Sequence, residues 1–169
     1  MILTKEFSPQ QFADALESWT WLPISPNQPV MASLFGDVFF VGPHGWSYLD
    51  TIEGTITRLW SSVDEVQAAI NTDEGQDKYL LGGLAVAAEG RGLVLGPDEV
   101  YDFRAPPILG GEFSVDNITK MDFVVSVNLA GQLLGQMKGL PPGTKVSGVT
   151  LEGEPPGGAS KRRWKRHRS

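Results

Sequence analysis

Residues 34–60 restrict the fold more than any other part of the sequence, because three β-rich runs follow one another there with turn signals between them. Both faces of the first run are apolar, with Val38 and Phe40 alternating with Phe39 and Val41, as expected of an interior strand. GPHG and EG sequences supply turn residues where the chain must reverse. Helices must then cover such a sheet. We predict an antiparallel meander with strands at 34–41, 45–50 and 55–59.

Helix-capping signals lie on both sides of this meander. The SPQQ sequence at 8–11 is a capping box with proline at the first helical position, and it predicts a helix to about Ser18. The SVDE sequence at 62–65 repeats the pattern and predicts a helix through Ile70. A further helix is predicted at 77–89, ending at a glycine, although two glycines in its middle disfavour it by about 1 kcal/mol each.

The remaining segments of the first two thirds are assigned from their proline, glycine and charge content. Three prolines make 23–29 an ordered connector into the first strand, and the preceding Trp19 and Trp21 are expected in the core. The acidic stretch 71–76 is either a loop or the first turn of the next helix. Residues 93–111 contain three prolines and three glycines, which predicts an irregular segment along the domain edge.

The last third of the chain contains one helical pattern and one strand pattern. Apolar residues at 120–138 recur at helical spacing, so a helix is favoured there even though the VVSV sequence alone could form a strand. Gly131 and Gly135 lie one turn apart and would let another element approach this helix closely. Residues 144–151 alternate in polarity, which predicts a final strand.

Length and composition favour one α+β domain, with a central antiparallel sheet packed against several helices. A chain of 169 residues with 41% hydrophobic residues can bury a sizeable core at 1–153. Residues 154–169 are expected to be a Pro/Gly linker followed by a disordered basic tail. The sequence has no cysteine, no signal-peptide pattern and no apolar run of about 20 residues. We therefore expect a cytoplasmic protein without a membrane partner.

Charge is segregated along the chain. Six of the 14 basic residues lie within 161–168, so residues 1–160 contain eight basic and 20 acidic residues, a net charge of −12. A body this acidic attracts basic partners in a salt-dependent way, although solubility alone explains it equally well. The predicted partner-binding residues are acidic and lie on predicted turns and strand ends: Asp37, Asp50, Glu53, Asp73, Glu74, Asp77, Asp98, Glu99 and Asp102.

The basic tail permits a different kind of contact. Its aromatic residue is surrounded by cations and could stack on a nucleic-acid base. The other interpretation is a disordered solubilising end that is attracted to the acidic body of its own chain. The residues concerned are Lys161, Arg162, Arg163, Trp164, Lys165 and Arg166.

Catalytic and cofactor motifs are absent from the sequence. His44 is the only histidine before the tail, and it lies in a predicted turn without a nucleophile motif beside it. The carboxylates at 98–102 lack the spacing of an EF-hand, and no Walker pattern is present. We therefore predict a protein that is not an enzyme and that needs no cofactor or metal.

Four sequence blocks together point to a known family: FGDVFF (35–40) with YLDTIEGT (48–55), NTDEGQDKYLL (71–81), LVLGPDEVYDFRAPPILGG (93–111) and GQLLGQMKGLPPGTK (131–145). They resemble the C-terminal domain of bacterial type VI secretion immunity proteins that neutralise a secreted DNase effector, and more distantly the Smi1/Knr4-like immunity superfamily. The resemblance covers about residues 19–151. It implies an α+β binding module that occludes the active surface of a cognate toxin, a basic nuclease, without any turnover of its own. An adaptor that contacts nucleic acid through the basic tail is the alternative.

Deleting residues 155–169 should leave the melting temperature within a few degrees of that of the full chain. Two prolines and two glycines separate this tail from every apolar run, so the core should not depend on it. Differential scanning calorimetry of the two chains measures the effect. A large drop would show that the basic segment docks on the acidic body and belongs to the fold.

Overall fold

A computed structural model describes residues 1–140, and these form an α+β domain as the sequence predicts. The strands are β1 (Thr4–Lys5), β2 (Gln28–Ser33), β3 (Val38–Gly42), β4 (Gly45–Asp50), β5 (Thr55–Trp60), β6 (Glu99–Phe103) and β7 (Ile118–Asp122). The helices are α1 (Pro9–Leu16), α2 (Val63–Ile70), α3 (Asp73–Leu80), α4 (Gly82–Gly90) and α5 (Phe123–Lys138), with 3₁₀ helices at Glu17–Trp19, Pro107–Leu109 and Val115–Asn117. The predicted strand at 144–151 and the predicted tail at 154–169 lie outside the described residues.

The main sheet is an antiparallel meander in the order β1-β2-β3-β4-β5. Its last three strands confirm the predicted meander, but the sheet also contains β1 and β2, which the sequence did not reveal. Strand β3 begins at Val38 rather than at residue 34, because residues 33–37 form a tight turn in which Gly36 has φ +88°. Residues 28 and 29, assigned to a connector, already belong to β2, and a bulge follows Pro29.

Helices cover both faces of this sheet, as the two-sided apolar pattern of β3 requires. On one face, Phe40 and Leu49 pack in a cluster that includes Phe12 of α1 and Val127 of α5. On the other face, Phe39 packs in a cluster with residues of α2 and α3. Phe39 and Phe40 of β3 are fully buried. The domain therefore has three layers, with α1 and α5 on one side of the sheet and α2 and α3 on the other.

Helix α5 is held closely against the segment that follows α1. The indole N–H of Trp19 donates to the Val127 carbonyl (2.9 Å), and that of Trp21 donates to the Gly131 carbonyl (3.1 Å). A Cβ atom on Gly131 would lie 2.7 Å from Trp19 Nε1, closer than real side chains approach, and one on Gly135 would lie 2.7 Å from Trp21 Nε1. The predicted role of these two glycines in close approach is confirmed.

The prediction of one continuous helix at 77–89 is wrong, because two helices occupy this region. Thr72 caps α3, its hydroxyl accepting from the Gly75 N–H (3.0 Å), so the acidic stretch at 71–76 contains the first turn of a helix. Leu81 then adopts the left-handed conformation (φ 49°), which ends α3 and begins α4. A non-glycine residue in this conformation is uncommon, so its sequence carries no local signal of the break.

The assignment of 93–111 as irregular is also wrong in part. Strand β6 lies inside it and pairs antiparallel with β7, with Glu99 opposite Asp122 and Phe103 opposite Ile118. The helix predicted from residue 120 begins instead at Phe123. Asp122 is its N-cap, and the Asp122 side chain accepts a hydrogen bond from the Val125 N–H (3.1 Å). The VVSV sequence is helical, as favoured.

Gly131→Ala should destabilise the protein by about 1–3 kcal/mol, because the added methyl would collide with the Ser18 hydroxyl and the Trp19 indole, which core packing holds in place. Urea denaturation followed by tryptophan fluorescence measures the change. Gly139→Ala is the matched control, since a Cβ there meets no atom closer than 3.8 Å and φ is −80°. Equal stability of the two variants would contradict the described crossing.

Candidate partner-binding site

The structure separates the nine acidic residues predicted to bind a partner into four places in the fold. Two of these places are in contact, because Asp37 accepts hydrogen bonds from Thr51 of the β4–β5 turn. The groups are Asp37 in the β2–β3 turn, Asp50 with Glu53 at the β4–β5 turn, Asp73 with Glu74 and Asp77 on α3, and Asp98 with Glu99 and Asp102 on or beside β6.

Asp37 is buried, with 2% of its surface exposed, and this removes it from any surface that a partner could reach. One carboxylate oxygen accepts from both the backbone N–H and the hydroxyl of Thr51 (2.8 Å each), and the other accepts from the Ser33 hydroxyl (3.1 Å). Burial raises the pKa of Asp37 to about 6, and Asp50 adds to the rise while the hydrogen bonds oppose it. Asp37 joins the β2–β3 turn to the β4–β5 turn, so its role is structural.

The other acidic residues near the sheet also make internal bonds. Asp50 shapes the β4–β5 turn, accepting from the Ile52 and Glu53 N–H groups (2.9 Å each). Glu53 itself is exposed. These contacts leave Glu53 as the acidic side chain of this turn that is open to a partner.

Asp98 and Glu99 bind neighbouring strands and helices. The Asp98 carboxylate accepts from the Gln11 side chain (2.8 Å), and Glu99 Oε2 lies 3.2 Å from Lys120 Nζ as a charge contact without an aligned hydrogen bond. Lys5 Nζ donates to the Glu99 carbonyl (2.7 Å); burial lowers the pKa of Lys5, and the two carboxylates work against that change. Reversing the charge of Glu99 would therefore disturb the fold.

Helices α2 and α3 carry the largest exposed group of acidic side chains among the sequence-predicted groups. The apolar residues Val66, Ile70 and Leu80 face the sheet, so the polar residues of both helices face outward. No basic residue occurs between Arg58 and Lys78. We call this region the α2–α3 acidic surface, and its exposed members are Asp64, Glu65, Asp73, Glu74 and Asp77.

Two members of this surface were missed from the sequence. Asp64 and Glu65 lie in the first turn of α2, where they are recognisable as part of a capping pattern but not as neighbours of α3. Asp73 and Glu74 lie in the first turn of α3. Exposed apolar side chains at Leu59 and Val63, 41% and 48% exposed, stand at the junction of β5 and α2. The region therefore combines negative charge with nearby apolar surface.

A small pocket lies between the β4–β5 turn, β6, the 106–108 segment and α5. It has about 70 Å³ of free space and mainly apolar walls, to which Phe35, Leu129 and Leu133 contribute. Its polar groups are Thr51, Asp102 and Ser126, and the Ser126 hydroxyl donates to the Asp102 carboxylate (3.0 Å). We call this the α5 pocket. Its volume is well below the roughly 300 Å³ at which pockets for metabolites begin.

Other types of site find little support in the part of the chain that is described. Within residues 1–140, no cluster of three or more His, Asp or Glu side chains has the arrangement of a metal site. No helix in this part is long and apolar enough to cross a membrane. His44 is exposed in the β3–β4 turn, where its carbonyl accepts from Arg58 (2.7 Å). The candidate nucleic-acid contacts at 161–166 lie outside the described residues.

Comparisons with known proteins point to one family. The family model described as "T6SS immunity protein Tdi1, C-terminal" matches residues 61–134, a stretch that contains the whole α2–α3 acidic surface. Among solved structures, the crystal structure of Atu4351 from Agrobacterium tumefaciens aligns at 16% sequence identity, covering 85% of this chain and 69% of that one, with a TM-score of 0.48. No curated protein sequence matches the chain. The resemblance to type VI immunity proteins is confirmed by the family match.

Asp37→Asn should alter the dependence of stability on pH. Because the folded-state pKa is raised to about 6 from 3.8, the folded protein holds an extra proton between these values, and wild-type stability falls as pH rises through this window. The variant lacks this loss, so its stability relative to wild type should improve by up to about 3 kcal/mol between pH 3.5 and pH 7. Urea denaturation at the two pH values measures the difference.

Glu112→Gln is the control for Asp37→Asn, because it also removes one carboxylate but from an exposed position. Its stability difference from wild type should change less between the two pH values. If Asp37→Asn shows no more pH dependence than this control, the buried carboxylate does not titrate as described.

Proposed function

We propose that this protein is an immunity protein that binds and neutralises a secreted antibacterial nuclease, because residues 61–134 match the family model of the T6SS immunity protein Tdi1 C-terminal domain. The family is one of type VI secretion immunity proteins, whose partner is a cognate toxin. Neutralisation would occur by occlusion of the toxin surface and would need no catalytic group on this chain. The observation that carries the proposal is the family match over the region that forms the α2–α3 acidic surface.

Charge supports a basic partner. Residues 1–140 contain seven Lys and Arg residues against 18 Asp and Glu residues, a net charge of −11. A nuclease binds the phosphates of its substrate in a basic groove, and an acidic surface is complementary in charge to such a groove. Five exposed carboxylates on two adjacent helices supply that complementarity, and Leu59 and Val63 add apolar contact area beside them. The proposal is therefore specific about the sign of charge on both partners.

The acidic residues of α2 and α3 also have a local role, which the test must separate from binding. Carboxylates in the first turn of a helix stabilise it by about 0.3–1 kcal/mol each through the helix dipole. Asp73 and Glu74 occupy that position in α3. Replacing them costs some helix stability whether or not a toxin binds there, so every variant needs a melting temperature beside its binding rate.

The double reversal Asp73→Lys with Glu74→Lys should slow association with the cognate toxin by about tenfold or more at low salt. Electrostatic attraction raises association rates, and the reversal replaces two negative charges with two positive ones. Stopped-flow or surface plasmon resonance at several salt concentrations measures the rate. Wild-type association should fall steeply as salt rises, and the variant should show a shallower dependence.

Glu89→Lys with Glu112→Lys is the matched control, because both residues are exposed, lie outside α2 and α3, and change the net charge by the same amount. A loss that is specific to Asp73 and Glu74 supports the α2–α3 acidic surface. Equal losses would mean that net charge alone matters. Absence of any complex, together with no protection when the toxin is co-expressed, would overturn the immunity function itself.

A further inference from the structure

Strand β5 forms one edge of the main sheet, and the outer side of its backbone is open. The order of strands ends at β5, which is bonded on its inner side to β4. Within residues 1–140, the backbone of Thr55–Trp60 makes no further hydrogen bond to another part of the backbone. A row of unpaired N–H and C=O groups along a sheet edge is a template for another extended chain.

The features that usually protect such an edge are weak along β5. The opposite edge of the same sheet, β1, has only two residues, whereas β5 has six and contains no proline. The irregularity in its pairing with β4 lies near its end, between Arg58 and Trp60. Residues 55–58 therefore offer a regular edge of about 14 Å.

The charged residue of β5 points away from this edge. Arg58 is the only charged residue in the strand, and its guanidinium donates to the His44 carbonyl (2.7 Å) in the β3–β4 turn. That turn lies on the inner side of β5, beyond β4. The Arg58 head group therefore does not block the approach of another strand from outside.

The side chains around the edge define the kind of segment that fits it. Ile56 is half-buried against the core cluster that contains Leu49, and Leu59 is 41% exposed, so a neighbouring strand would cover apolar surface of both. Exposed carboxylates flank the strand, with Glu53 before its first residue and Asp64 after its last. An extended segment that is neutral or apolar in its middle and basic at its ends is complementary to this arrangement.

We propose that the outer edge of β5 pairs with an extended segment of the toxin, basic at its ends, which adds a sixth strand to the main sheet. This inference rests on the proposed function, since it names the part of this chain that the toxin contacts. Charge favours the toxin over a second copy of this chain, because two domains with a net charge of −11 over residues 1–140 repel each other. Strand addition obtains affinity from main-chain hydrogen bonds and selectivity from side chains at alternate positions.

The edge adjoins the α2–α3 acidic surface. Only residues 61 and 62 separate β5 from α2, whose first turn contains Asp64 and Glu65. A basic segment that is attracted by this surface therefore arrives beside β5. Long-range attraction and short-range backbone pairing then act on the same approach of the toxin.

Amide hydrogen exchange of the ¹⁵N-labelled full chain tests the pairing directly. N–H groups alternate in direction along an antiparallel strand, so about two of the four amides at residues 55–58 point away from β4. In the complex with a catalytically inactive form of the cognate toxin, these amides should exchange more slowly than in the free protein by about tenfold or more. The amides of β1, at the opposite edge, are the internal control and should change less than about threefold.

Thr57→Lys should weaken the complex by about tenfold or more, because a charged side chain in the middle of an edge disfavours pairing with another strand. Thr20→Lys is the matched control, since it makes the same substitution at another exposed threonine, outside β5. Its affinity should change less than about threefold. The melting temperature of each variant checks that it is folded, and equal affinities of the two folded variants would overturn the proposal.

The exchange experiment separates this contact from the proposed function and from other occupants of the edge. If the toxin binds while the outward β5 amides exchange as before, the edge assignment is wrong and the immunity function stands. If no toxin binds, the immunity function fails and the contact fails with it.

Two further outcomes would replace the toxin with another occupant. If the outward β5 amides are already protected in the free full chain, and Val146→Pro with Val149→Pro removes that protection, residues 144–151 of the same chain pair with β5. Protection that grows with protein concentration would identify a second copy. Either result overturns the proposal.

Discussion

The crossing of the Trp19–Trp21 segment over α5 is the contact on which the rest of the structure depends. Two indole N–H groups that burial would otherwise leave unpaired donate to carbonyls of α5, and Gly131 lets the chains come close enough for this. The contact fixes α5 over the sheet face that carries Phe40 and Leu49. Because Ser126 and Leu133 project from the same helix, the geometry of the α5 pocket follows from it.

Acidic residues serve two different purposes in this protein, and net charge alone does not distinguish them. Asp37 is surrounded by hydrogen-bond donors and keeps a raised pKa because burial disfavours its charge. Asp50 shapes a turn, and Asp98 and Glu99 bind neighbouring side chains. These carboxylates are used within the fold. The carboxylates of α2 and α3 face outward, because the apolar side of each helix is occupied by the sheet. The exposed carboxylates of this second group form the α2–α3 acidic surface.

Turn residues and helix-capping patterns in the sequence predicted the strands and helices whose formation depends on residues close in the chain. The meander follows from turn residues within a few positions of each strand, and the capping boxes located α1 and α2. Pairing over longer distances was missed: β6 looked irregular because its partner β7 begins 15 residues after β6 ends. The break at Leu81 requires a left-handed backbone conformation, which a leucine in the sequence does not predict. In the same way, Asp37 was assigned to a partner-binding surface because Thr51, which donates hydrogen bonds to it in the folded chain, lies 14 positions further on.

The α2–α3 acidic surface and the α5 pocket lie on opposite sides of the main sheet. Helices α2 and α3 cover one face, whereas the α5 pocket opens beside the helix on the other. Charge interactions extend over about 8 Å at physiological ionic strength, so an acidic surface guides a basic partner without touching it, while a pocket acts only on contact. The proposed acidic surface would therefore act mainly on the rate at which a complex forms.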